Sequence, residues 1–156
     1  MNNKDIIKHE LCFNPDLLTE QVVITLPSES FEQIKDAVIP SFCYDNALNC
    51  GKYLDADSIV YGAVVTDLLG QPKAIEHAWL KMKDGTFTDP TYQLLNEINS
   101  TQRKCVYFGL IEFALNEYTD ISSMLGNPAP KLIAFDFAYL RRNQHYKDLF
   151  TTVLAD

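Results

Sequence analysis

The chain has 156 residues, 47% of them hydrophobic, with 13 basic and 21 acidic side chains and a formal net charge of -8. That length favours a single domain over residues 1–156, and the hydrophobic content excludes general disorder. The acidic balance argues against a nucleic-acid or anionic-membrane partner, since both select for basic patches, and no stretch approaches the length of apolar residues that a membrane span needs.

The N-terminus, Met1-Asn2-Asn3-Lys4-Asp5, lacks the charged-then-apolar layout of a secretory signal. Residues 17–26 end in a β-branched run that reads as a strand, interrupted by Pro27. Ser30 followed by Gln33 suggests a capping box, and Phe31, Ile34, Ala37 and Val38 then share a helical face. Pro40 stops this helix at or before Ile39.

A second helix is expected at once, with Ser41 as N-cap. Cys43, Ala47, Cys50 and Leu54 repeat as one stripe that should face the core, with Cys43 in the first turn. Asp55 to Ser58 reads as a loop. Ile59 to Val65 is apolar on both parities, the pattern of a central strand. Gly70-Gln71-Pro72 reads as a turn. Ile75 to Met82 is the next strand, and Thr86 to Asp89 its hairpin partner. Residues 105–111 read as a third strand, 112–125 as a helix with Gly126 as its C-cap, and 132–140 as ambiguous. Tyr146, Leu149, Phe150, Val153 and Leu154 suggest a final amphipathic helix. Helices first and antiparallel strands later point to an α+β fold, with N-terminal helices packed on a small antiparallel sheet.

The hairpin carries the first functional signal. Met82-Lys83-Asp84-Gly85-Thr86 suits a three-residue loop with glycine in the left-handed region. Counting outward pairs Met82 with Thr86, Leu80 with Thr88 and Trp79 with Asp89. His77 then lies on the face of Trp79, diagonal to Asp89 across the strands. A two-residue Asp84-Gly85 loop would put His77 and Asp89 on opposite faces instead.

Upstream, Cys43 stands at a helix start. A helix N-terminus and a neighbouring imidazolium both favour a thiolate. Asp89 can accept a hydrogen bond from the second imidazole nitrogen and fix the ring, and backbone N–H groups of the first helical turn can stabilise an oxyanion. Cys43, His77 and Asp89 therefore form a candidate catalytic set for acyl transfer through a thioester. Water as acceptor gives hydrolysis or deamidation; an amine gives transamidation.

The segment His77-Ala78-Trp79, a short Gly-containing turn, and Asp89-Pro90-Thr91 resembles the His and Asp portion of the transglutaminase-like branch of the papain-like superfamily. Cys43 at a helix start, followed by Ala47, resembles the nucleophile position of that group. The resemblance covers roughly residues 41–92. It implies a Cys43-His77-Asp89 triad on a papain-like α+β core, and a cysteine-dependent hydrolase or amidase acting on a peptide or a glutamine-type amide. Protein-glutamine deamidation and transglutamination are the alternatives within the group, whose small members include bacterial and phage proteins. The chain departs from the pattern at Ser41-Phe42, where transglutaminases usually carry Gly-Gln or a similar pair, a difference that bears on the oxyanion arrangement and on crosslinking.

Other readings compete. Cys43 alone is a small buried hydrophobe, His77 alone a satisfied strand histidine, and Asp89 before proline a common turn residue. Cys50 belongs to the core, and His9 and His145 to the surface. Cys12 and Cys105 have no paired base. Glu76 points to the face opposite His77, Trp79 shields the site or packs, and Asn46 caps or hydrogen-bonds near the helix start. Cys43, His77 and Asp89 are also legitimate zinc ligands, but a thiol triad needs no fourth ligand, so no metal and no cofactor is expected. A non-catalytic acidic domain that binds or inhibits a basic protein is the alternative outside enzymes. The expected partner is a protein or peptide substrate. Irregularly spaced cysteines read as free thiols in a reducing compartment, so the expected location is cytoplasmic, or reached from a bacterial cytoplasm by another route.

Overall fold

A computed structural model of the protein describes residues 2–40, 42–100, 103–116 and 137–151. In chain order its elements are α1 (Asn3–Leu11), β1 (Thr19–Gln21), β2 (Val23–Ile24), α2 (Ser28–Ile34), α3 (Cys43–Leu54), β3 (Ser58–Leu68), β4 (Gln71–Lys81), β5 (Phe87–Thr88), α4 (Pro90–Asn99), β6 (Cys105–Ala114) and α5 (Phe137–Arg142). Short 3₁₀ turns lie at Pro15–Leu17, Lys35–Ala37 and Gln144–Leu149.

The strands form one mixed sheet in the order β1-β6-β3-β4-β5-β2. β1 and β2 are separated by Val22 alone, yet they pair at opposite ends of that order, β1 with β6 and β2 with β5. Gln21 and Val23 are about 7 Å apart at most across one intervening residue. The sheet therefore curls until its two ends approach, and is nearly closed. Mixed α+β class agrees with the sequence expectation. The sheet itself is larger than expected, and β2 runs parallel to β5, because the segment before Pro27 splits into two strands serving opposite edges.

β3 is central, pairing antiparallel with β4 and with β6. It is buried on both faces from Ser58 to Thr66, as its continuous apolar run implies. Tyr61, Ala63 and Val65, with Ala78 and Leu80 of β4, join the core shared with the helices: Ile7 of α1, Phe31 and Ile34 of α2, Ala47 and Cys50 of α3, and Phe137 of α5. Val60 and Val64, with Trp79 and Tyr107, form a second buried cluster on the other face of the sheet.

A bulge shapes that second face. Tyr61 pairs with Ile111 but Gly62 pairs with Gly109, so Leu110 is the extra residue in β6. A Cβ at Gly62 would overlap the Phe108 carbonyl and stand 2.8 Å from Cη2 of Trp79. Glycine at 62 thus admits both the indole and the close approach of β6. Trp79 Nε1 donates to Oε1 of Gln21 at 2.9 Å, which ties β4 to the end strand β1.

Several local expectations are corrected. α2 begins at Ser28, and Pro27, its capping residue, supplies no side-chain hydrogen bond; Ser30 and Gln33 lie within the helix and form no capping box. The turn before β4 is Leu69-Gly70, both at positive φ, and Gln71 and Pro72 already belong to β4 opposite Leu68 and Asp67. Residues 112–114 extend β6, since Ile111 and Phe113 continue its pairing with β3. The proposed final helix is a 3₁₀ turn over Gln144–Leu149, preceded by α5. Residues 117–125, Gly126, residues 132–136, Val153, Leu154 and Ser41 lie outside the described residues. Sequence reading did not find α1 or α4: α1 is capped by Asn2, whose side chain accepts from Asp5 N, and α4 by Asp89.

Candidate active site

The hairpin between β4 and β5 places the histidine and the acid. Met82 N donates to Thr86 O at 2.7 Å, and Gly85 N to Met82 O at 2.9 Å. Gly85 has φ of 89°, the left-handed conformation that the three-residue loop requires. Leu80 then pairs with Thr88 and Lys81 with Phe87. His77, two residues before Trp79 in β4, meets Asp89 just beyond β5: His77 Nε2 and Asp89 Oδ2 are 2.8 Å apart. Both side chains are almost fully buried.

Asp89 is held from three sides. Oδ2 also accepts from the Tyr107 hydroxyl at 2.6 Å. Oδ1 accepts from Tyr92 N at 3.3 Å, the capping bond that starts α4, and Pro90 occupies the first helical position, where its missing N–H costs nothing. The carboxylate is therefore both an N-cap and the partner of His77. Tyr92 returns along the first turn of α4 and stacks on the imidazole with ring centroids 4.2 Å apart. Trp79 stacks more distantly, at 6.1 Å.

Cys43 is the first residue of α3. Its capping residue is Phe42, which lacks a capping oxygen, and no side-chain cap bond forms there. The thiol sits at the positive end of the α3 dipole and is half-buried. It also acts on His77. Burial alone would lower the proton affinity of the imidazole, but the Asp89 charge and hydrogen bond outweigh it, the Cys43 side chain adds to them, and together they raise His77 to about 10. Asp89 occupies Nε2, which leaves Nδ1 as the ring nitrogen for a thiol partner. Asp89 thus holds one edge of an imidazole on which the Cys43 side chain also acts.

Asn46 fixes the approach of α3 to α4. Its Oδ1 accepts from Ile39 N at 2.9 Å, and its Nδ2 donates to Ile39 O at 2.8 Å and to Thr91 Oγ1 at 3.0 Å. One buried side chain therefore ties the segment entering Cys43 to the residue two places after Asp89. The sequence expectation of a cap or hydrogen bond from Asn46 near the helix start did not name these partners, and it did not include Tyr107 or Tyr92. The cap pattern Asp89-Pro90 could have indicated α4 and hence Tyr92; Tyr107 arrives from a strand distant in sequence, and no local signal marks it.

The remaining residues take the quieter roles expected of them. Cys50 is buried in the core, and burial pushes its thiol up to about 11. Glu76 faces away from the site and pairs with Arg141 at 2.5 Å. His9 and His145 are exposed. The four cysteines are unbridged. Among the described residues, no group of three or more His, Cys, Asp or Glu side chains is arranged to hold a metal ion, and no helix is long and apolar enough to cross a membrane.

A cavity of about 190 Å³ reaches Asp89, Tyr92 and Tyr107 beside Arg103 and Cys105, without touching His77 or Cys43. The surface next to the thiol is of another kind: Ile39 and Phe42, in the segment leading into α3, are exposed apolar side chains. Comparison with protein-family models, curated proteins and solved structures found no match.

Proposed function

We propose that the protein is a cysteine-dependent hydrolase or amidase of papain-like, transglutaminase-related design, with Cys43 as nucleophile, His77 as acid and base, and Asp89 as the group that orients His77. The observation that carries this reading is the buried His77–Asp89 contact on an imidazole whose proton affinity is also raised by Cys43 at a helix N-terminus.

The chemistry follows from these positions. The Cys43 thiolate attacks the amide carbonyl carbon, its proton resting on His77. The α3 dipole stabilises negative charge beside the sulfur. The tetrahedral intermediate expels the amine, which takes the proton from His77, and leaves an acyl-thioester on Cys43. Neutral His77 then removes a proton from water; hydroxide attacks the thioester, and the C–S bond breaks to give the acid and the thiol. Asp89 keeps the ring oriented throughout. With an amine in place of water the same site would transamidate, and with a glutamine side chain as donor it would deamidate.

Exposed Ile39 and Phe42 support a protein or peptide substrate that lies across the surface beside Cys43. Unbridged thiols suit a reducing compartment such as a cytoplasm. The test is turnover of an activated acyl ester and of glutamine-containing peptides, with ammonia and the acyl-enzyme followed by mass spectrometry. The reading requires an acyl adduct on Cys43 that is lost in Cys43→Ala. An adduct on another cysteine, or turnover unchanged in Cys43→Ala, overturns it.

A further inference from the structure

The Asp89 oxygen that faces His77 has a second donor. Oδ2 receives the Tyr107 hydroxyl at 2.6 Å as well as His77 Nε2 at 2.8 Å. Tyr107 is buried, and its ring packs edge-on against Trp79 with centroids 5.1 Å apart. Its place in β6 is set by pairing with Val64 of β3 and with Gln21 of β1. The hydroxyl is thus delivered by the sheet rather than by the hairpin that carries His77.

We infer that Tyr107 is a positioning residue that tunes His77 through Asp89: by sharing Oδ2 it draws carboxylate charge away from the imidazolium and lets His77 release its proton to a leaving group. The need for such a device is chemical. A carboxylate whose charge faced only the imidazolium would hold the proton too firmly for general-acid transfer near neutral pH. A hydrogen bond from a second donor stabilises that charge independently and weakens its demand on His77. Tyr92 N secures the other oxygen, so the carboxylate cannot turn away from Tyr107 without giving up the cap of α4.

Tyr107 stays a donor over the working range. Burial first, and then the Asp89 charge and hydrogen bond, push its phenol well above the usual tyrosine value. The titratable groups around His77 come from every element that packs on it. Asp89 follows β5, Cys43 starts α3, Tyr92 lies in α4 with the Arg103 guanidinium over its ring, and Tyr107 lies in β6. Of these, Asp89 and Cys43 act on His77 directly, and Tyr107 acts through Asp89.

The catalytic meaning of this role rests on the hydrolase reading, but its measurement does not. His77 is titrated by NMR of its labelled imidazole in the full chain, in the native protein, in Tyr107→Phe, and with a ring-fluorinated tyrosine installed at 107. Fluorination makes the phenol a stronger donor while keeping shape and hydroxyl, so that sample remains informative where Tyr107→Phe fails to fold. The His77 midpoint should move up in pH by about 0.5 or more in Tyr107→Phe, and down with the fluorinated ring. Packing alone would not give opposite signs for removing and strengthening one donor. A midpoint that ignores fluorination, or that falls in Tyr107→Phe, overturns the inference. Loss of Cys43 acylation with the His77 response intact would instead count against the hydrolase reading alone.

Discussion

His77 Nε2 lies 2.8 Å from Asp89 Oδ2, and the two residues are separated by only twelve positions in the chain. The three-residue loop closed by Gly85 sets the register that brings them to one face. Removing one loop residue would turn Asp89 to the opposite face. The same carboxylate starts α4, so the orientation of the imidazole and the direction of a helix depend on one side chain.

Asp89→Asn separates those two duties. Asparagine still caps α4, but it brings no charge to hold the imidazolium. The rate of Cys43 alkylation near neutral pH should fall about tenfold or more, while the helical circular dichroism signal is retained. An unchanged alkylation rate would show that Asp89 serves α4 only.

The raised proton affinity of His77 links stability to pH. The ordinary imidazole value is 6.5 and the folded value is about 10. The folded state therefore binds the proton more tightly, and the stabilisation it gains is complete below about 6.5 and lost as pH rises through about 10. Urea midpoints of the native protein and of His77→Gln, compared from pH 6 to pH 10, should converge as pH rises. A gap that widens with pH would reverse the assigned direction.

Asn46→Ala should loosen the junction between the Cys43 segment and α4. It removes the partners of both backbone groups of Ile39 and of Thr91 Oγ1. A cost of about 1–3 kcal/mol is expected in denaturant unfolding. Cys43 alkylation should slow in the folded protein while Cys50 stays protected by burial. Stability lost with no change at Cys43 would show that Asn46 supports the fold alone.

Sequence patterns reached the parts of this site that depend on nearby residues. The loop Lys83–Gly85, the central strand β3 and the span of α3 were all legible from turn chemistry and periodicity, and with them the His77–Asp89 diagonal. The stripe Cys43, Ala47, Cys50, Leu54 does face the core. Contacts between distant segments were not legible. Tyr107 meets Asp89 only because β6 pairs with β3 through a bulge at Leu110, and the curling of the sheet follows from β1 and β2 finding opposite edges. Short strands of three and two residues carry too little alternation to reveal such pairing. In sequence, Asp89-Pro90 reads as the end of a strand; it is equally the start of α4, because proline suits both places.

The central claim is that Cys43 and His77 act as a pair, and the rate of Cys43 alkylation by a neutral electrophile, measured site by site across pH in native protein and in His77→Ala, tests it most directly. A paired thiol reacts readily near and below neutral pH, and His77→Ala should remove that reactivity and leave a rate that rises only towards alkaline pH, as for an ordinary thiol. The same rate and the same pH profile in both proteins would contradict the pairing.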